Sequence, residues 1–70
     1  MTQRKHFFLN GETYISDQSI SLLDLITYFN YNDHLLVLEH NHLICENKRW
    51  KTTFINDNDK IEIVTIVGGG

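Results

Sequence analysis

Apolar and polar positions divide this chain into short extended runs around one helical stretch. Two runs, His6-Phe7-Phe8-Leu9 and Thr13-Tyr14-Ile15, meet at Asn10-Gly11. Asn-Gly tolerates the positive φ angles of a tight primed turn, so the pattern predicts an opening β-hairpin. Past the polar Ser16-Asp17-Gln18, Leu22, Leu25, Ile26 and Phe29 recur at the i, i+3, i+4, i+7 spacing of one buried helix stripe, which Ile20 and Leu23 widen. Ser19 stands where a helix cap is expected, and Asn30-Tyr31-Asn32-Asp33 offers the turn chemistry to end the helix near Asn30. Leu35 to Glu39 has the length and apolarity of a strand inside a sheet. His40-Asn41-His42 then predicts a turn, Leu43-Ile44-Cys45 a brief return strand, and Trp50 an inward-folded cover for one end of the core. Thr52 to Ile55 adds a few extended residues, Asn56 to Asp59 is a turn by composition, and the β-branched run Lys60 to Val67 is the best strand of the chain. Gly68-Gly69-Gly70 follows it.

Hairpin, helix, strand, short strand and long final strand is the element order of an α+β β-grasp architecture. A mixed sheet forms, and one helix crosses one of its faces. The expected organisation is a β-grasp domain over residues 1–67 and a flexible glycine tail over 68–70. Successive side chains alternate across a sheet, so if Ile61 and Ile63 face the helix, Glu62, Val64 and Ile66 face away. Phe7 and Leu9 would face the helix by the same rule, and Phe8 would join Val64 and Ile66 on the open side. That exposed apolar set, with Val67 beyond it, is expected to be a partner-docking patch beside the tail.

Size and charge narrow the chemistry. With 70 residues the chain holds one modest core and no room for a multi-residue catalytic cleft, so it is not expected to be an enzyme on its own. Six Lys and Arg against nine Asp and Glu leave a net charge of −3, which argues against nucleic acid and fits basic partners. The single cysteine, Cys45, excludes an intramolecular disulfide and points to a reducing compartment. The longest apolar run, Leu35 to Leu38, is far short of a membrane span, and polar Met1 to His6 leads straight into the first strand, so no targeting peptide is expected. The expected location is where the protein is made. Ala and Pro are absent while Asn and Ile abound, the codon bias of an AT-rich genome such as a low-GC bacterium or a plastid.

Candidate reactive groups are few. His34, His40 and His42 lie close together, but a turn at Asn41 would break their common orientation, and no carboxylate-rich surround accompanies them; they are expected to be solvated loop residues and not metal ligands. Cys45 beside His42 is expected to be a small packing residue. Asp57 and Asp59 lack the remaining ligands and the glycine of a calcium loop. The glycine tail is the exception. Free of side chains, it can enter a narrow passage on another protein and present the Gly70 carboxylate there; the alternative is a frayed or artificial end.

The chain resembles the sulfur carrier of thiamine thiazole biosynthesis, a ubiquitin-like family. Its residues are Leu9-Asn10-Gly11 at the hairpin, Ser19-Ile20 to Leu25 at the helix start, Val37 to Asn41, Arg49-Trp50, and Asp59-Lys60-Ile61-Glu62-Ile63-Val64 running to Val67-Gly68-Gly69-Gly70. The resemblance spans essentially the whole chain, and its most specific part is the last strand with its glycine end. It implies that a ubiquitin-activating-like adenylyltransferase uses MgATP to convert the Gly70 carboxylate to an acyl adenylate, with Gly68 and Gly69 threading into that enzyme. Sulfur from a sulfur-donor enzyme would then displace AMP and leave a thiocarboxylate, and thiazole synthase would accept the sulfur. The resemblance implies no stably bound cofactor, ATP being used by the activating enzyme. It implies a cytoplasmic location, or the plastid stroma if the gene is plastid-encoded.

Three other readings remain. The small subunit of molybdopterin synthase shares fold and tail, but its family typically enters the tail through a proline-containing stretch, whereas this chain reads Val64-Thr65-Ile66-Val67. A ubiquitin-like modifier would deliver the whole domain to a lysine. A plain binding module would carry a tail without function.

Overall fold

The computed structural model describes residues 4–31 and 35–65. Strands β1 (Lys5–Leu9) and β2 (Glu12–Ser16) form the opening hairpin. Its turn residues Asn10 and Gly11 have φ of 51° and 84°, the positive pair that a two-residue primed turn requires. Helix α1 (Leu22–Tyr28) follows, then β3 (Leu36–His40), β4 (Leu43–Ile44), a single 3-10 turn at Asn47–Arg49, and β5 (Lys60–Thr65).

The sheet order is β2-β1-β5-β3-β4. β5 lies at its centre, parallel to β1 and antiparallel to β3. This is the expected mixed sheet with one helix. Phe7, Leu9, Leu38, Ile61 and Ile63 are buried on the helix-facing side, and Leu22, Leu25 and Ile26 of α1 pack into the same core. The alternation expected along β1 and β5 therefore holds.

Helix α1 begins later than the sequence pattern predicts. Its cap is Ser21, not Ser19: Ser21 Oγ accepts the Asp24 N–H at 3.1 Å, and Asp24 Oδ2 accepts the Ser21 N–H at 3.0 Å. This reciprocal pair needs an acidic residue three positions after the cap, which Ser21-Leu22-Leu23-Asp24 has and Ser19-Ile20-Ser21-Leu22 lacks. Two further helix-start donors find carbonyls across the core, Leu22 N–H on Thr53 at 2.9 Å and Leu23 N–H on Trp50 at 3.1 Å. The segment through Trp50 and Thr53 thus closes the N-terminal end of α1. Asn30, at φ 58°, ends the helix where turn chemistry predicts.

Trp50 is buried, as expected, and its indole N–H donates to the Cys45 carbonyl at 2.8 Å. Cys45 is half-buried against the core, consistent with a packing role. The return strand is shorter than expected and stops at Ile44. In the 52–55 stretch, Phe54 makes one isolated bridge with Ser21, and Ile55 enters the core.

Candidate functional site

Anything that acts through residues 66–70 depends on how β5 is held, because β5 leads directly into them. Two asparagines hold it. Asn10 and Asn41 each occupy the first position of a two-residue turn, at φ 51° and 53°. Asn10 Oδ1 accepts the Ile63 N–H at 2.8 Å, and Asn41 Oδ1 accepts the Lys60 N–H at 2.8 Å. β1 turns away at Asn10, so without that side chain the Ile63 donor would lose its partner on this side. The same two residues reverse the chain and each satisfy one backbone donor of the final strand.

Asp59, immediately before β5, is buried to 7% exposure. Its Oδ2 accepts the Asn56 N–H at 2.8 Å and lies 2.6 Å from His40 Nε2, while Oδ1 accepts from Asn41 Nδ2 at 3.0 Å. Burial works against the charged carboxylate, but the hydrogen bonds from Asn56, His40 and Asn41 outweigh it and hold the Asp59 carboxyl below the usual carboxylate range. His40 is therefore not a solvated loop residue. It is the last residue of β3, half-buried, and bound to a carboxylate that is distant in sequence and adjacent across the sheet. The turn itself uses Asn41 and His42, both at positive φ. Among the described residues no group of three or more His, Cys, Asp or Glu is placed to hold a metal; His34 lies outside them.

On the face away from the helix, Val37 stands opposite Val64 and Glu39 opposite Glu62 across β3 and β5. Val64 is 60% exposed. Phe8 also points to this side but is half-buried, and its register partner on β5 is Lys60. Phe8 and Val64 are consequently separated by four residues of strand, about 13 Å, and are not neighbours. Val37 takes the adjacent place that sequence pattern assigned to Phe8. Pattern missed it because strand order cannot be read from alternation. Ile66, Val67, Gly68, Gly69 and Gly70 lie outside the described residues.

A model of the ThiS family matches residues 4–70. The chain belongs to the ThiS family. The crystal structure of a thiamine biosynthesis protein (ThiS) from Geobacter metallireducens has a similar fold, with a TM-score of 0.79 and 22% identity over 93% of this chain and 99% of that one. Two similar relatives are each called uncharacterized protein ycf40. That of Trieres chinensis is 56% identical and covers 94% of this chain and 90% of its own length. That of Porphyra purpurea is 39% identical and covers 89% of this chain and 87% of its own length. In family and fold the chain is a ThiS-like, ubiquitin-like sulfur carrier, a class of small protein that serves enzyme partners and is not itself an enzyme. No helix among the described residues is long and apolar enough to cross a membrane.

Proposed function

We propose that this ThiS-family chain carries sulfur as a thiocarboxylate on Gly70 and donates it to thiazole formation in thiamine biosynthesis. The observation that carries the reading is the family match, which runs through residue 70 and so includes the glycine end. The position of β5 supports it. β5 is the central strand, paired with β3 over residues 61–65 and with β1 at residues 60 and 61, so the chain leading into the glycine end is anchored in the sheet.

The chemistry follows from the carboxylate. An ionised carboxylate is a poor electrophile, so an activating adenylyltransferase would transfer AMP from MgATP to the Gly70 oxygen and release pyrophosphate. A persulfide from a sulfur-donor enzyme would attack the acyl carbon and expel AMP. Two-electron reduction of the resulting acyl disulfide by a thiol would release the thiocarboxylate. Thiazole synthase would take the sulfur, leaving the carboxylate for another cycle. Gly68 and Gly69 would thread the passage, since a Cβ at either position widens the chain. ATP would bind the activating enzyme and not this chain. The ycf names of the relatives point to plastid-encoded genes in algae, which favours the plastid stroma as the site of action.

The test is intact-mass spectrometry after incubation with the activating enzyme, MgATP and a sulfur donor. The expected shift equals replacement of one oxygen by sulfur. An unchanged mass, with the activating enzyme competent on another carrier, overturns the reading.

A further inference from the structure

The edge of the sheet formed by β2 has features that tail chemistry does not use. β2 is an edge strand. Its turn is a two-residue loop, so Leu9 and Glu12 form the closing hydrogen-bonded pair and the ladder alternates from there. Thr13, opposite Phe8, and Ile15, opposite His6, fall in the non-hydrogen-bonded pairs. Their N–H and C=O groups therefore point outward, and neither residue bonds to another described residue outside the ladder. Edge strands are commonly blunted by Lys, Pro or a bulge. Glu12 to Ser16 contains no Lys or Pro, and its register with β1 is regular throughout.

Beside this open edge, a cleft of about 550 Å³ runs between β2 and α1. Tyr14, Phe29 and Tyr28 form an aromatic wall, with ring centroids 5.4 Å apart for Tyr14 and Phe29 and 5.1 Å apart for Tyr28 and Phe29. Ile20 and Leu25 line its floor. Among the lining residues the charged one is Asp24, and no Lys, Arg or His is present. The capping box uses Asp24 Oδ2, leaving Oδ1 without a hydrogen bond among the described residues. Glu12 stands nearby, accepting from the Tyr14 hydroxyl at 3.2 Å.

We infer that this edge and cleft dock an extended segment of a partner protein, one that alternates apolar and polar residues and carries a Lys or Arg. Backbone groups of the segment would pair with Thr13 and Ile15 as an added strand. Every second side chain would then enter the aromatic cleft, and the basic residue would reach Asp24. A second copy of this chain fits poorly, because its own β2, Glu12 to Ser16, brings no Lys or Arg to Asp24. A small aromatic ligand would leave the open edge unused. Ile15 lies level with His6, toward the end of the sheet opposite Thr65, so this segment could bind while the C-terminal end is engaged elsewhere. The inference stands whether or not Gly70 carries sulfur.

The experiment pans a phage-displayed random heptapeptide library against the full chain and titrates synthetic forms of the enriched peptides by NMR. Enriched sequences are expected to alternate apolar and polar residues and to contain Lys or Arg, with amide shifts over residues 12–16 and 24–29. Thr13→Pro removes one outward donor without touching the β1 ladder, and is expected to weaken binding by about tenfold or more. Thr13→Val keeps the donor and should bind normally. If Thr13→Pro does not fold, Tyr28→Lys decides: Tyr28 is 82% exposed, so the change spares the core, removes part of the aromatic wall and repels a basic segment. Failure to enrich any sequence overturns the inference. So do peptides that shift the Val64 face instead, equal binding by folded Thr13→Pro or by Tyr28→Lys, or closure of the β2 edge by self-association.

Discussion

Asn10 accepts the backbone N–H of Ile63 through its side-chain oxygen at 2.8 Å, joining the tip of the first hairpin to the middle of the last strand. A residue at φ 51° favours Gly or Asn, but only Asn also supplies the acceptor. Asn10→Gly should therefore keep the turn and lose the bond, costing about 1–2 kcal/mol in denaturant unfolding. The Ile63 amide should exchange faster with solvent in the variant. Unchanged stability and exchange would show that water replaces the side chain without penalty.

Asp59 ties the turn before β5 to His40 and Asn41, and its linkage to pH has a definite sign. The folded carboxyl is held below its unfolded value of 3.8, so its stabilising contribution is complete above that value and is lost as pH falls through the folded pKa. Asp59→Asn should cost about 1–3 kcal/mol at neutral pH, because the charge-assisted bonds weaken in a buried site. The gap between wild type and variant should narrow as unfolding is measured at progressively lower pH, below about 4. A gap that stays constant would mean that shape, and not charge, accounts for the loss.

Val64 and Ile63 are adjacent in sequence and opposite in fate. Ile63→Asp buries a charge in the core and should unfold the protein. Val64→Asp, on an exposed position, should change stability by no more than about 0.5 kcal/mol. If the open face docks the activating enzyme and the acceptor, Val64→Asp should weaken both complexes by about 2 kcal/mol, read by titration calorimetry. Full binding by a folded Val64→Asp would remove this face from the interface.

Deleting Gly70, or replacing Gly69 with Val, should abolish adenylation without loss of the folded state. Pyrophosphate exchange measures the first and circular dichroism the second. Normal exchange by the deletion variant would show that the activating enzyme does not use Gly70.

Much of the architecture follows from local chemistry that the sequence displays by itself. Asn10-Gly11 sets the first turn because its backbone tolerates positive φ, and two-residue alternation sends Ile61 and Ile63 to the core and Val64 outward. The Ser21 cap was also legible, through the acidic residue three positions later, although Ser19 stands nearer the preceding turn. The glycine end and the strand before it were enough for the family resemblance, which the match over residues 4–70 bears out.

Relationships between segments distant along the chain were not legible. His40 and Asp59 are nineteen residues apart, and only the β3–β5 pairing makes them partners at 2.6 Å, turning an expected solvated histidine into part of a buried network. Val37, not Phe8, neighbours Val64, because strand order and register are set by the closure of the whole sheet. The β2 edge and its aromatic cleft have the same origin. Periodicity assigns a side chain to a face, but which strands lie side by side, and which is left at the edge, is decided only when all of them compete to bury one core.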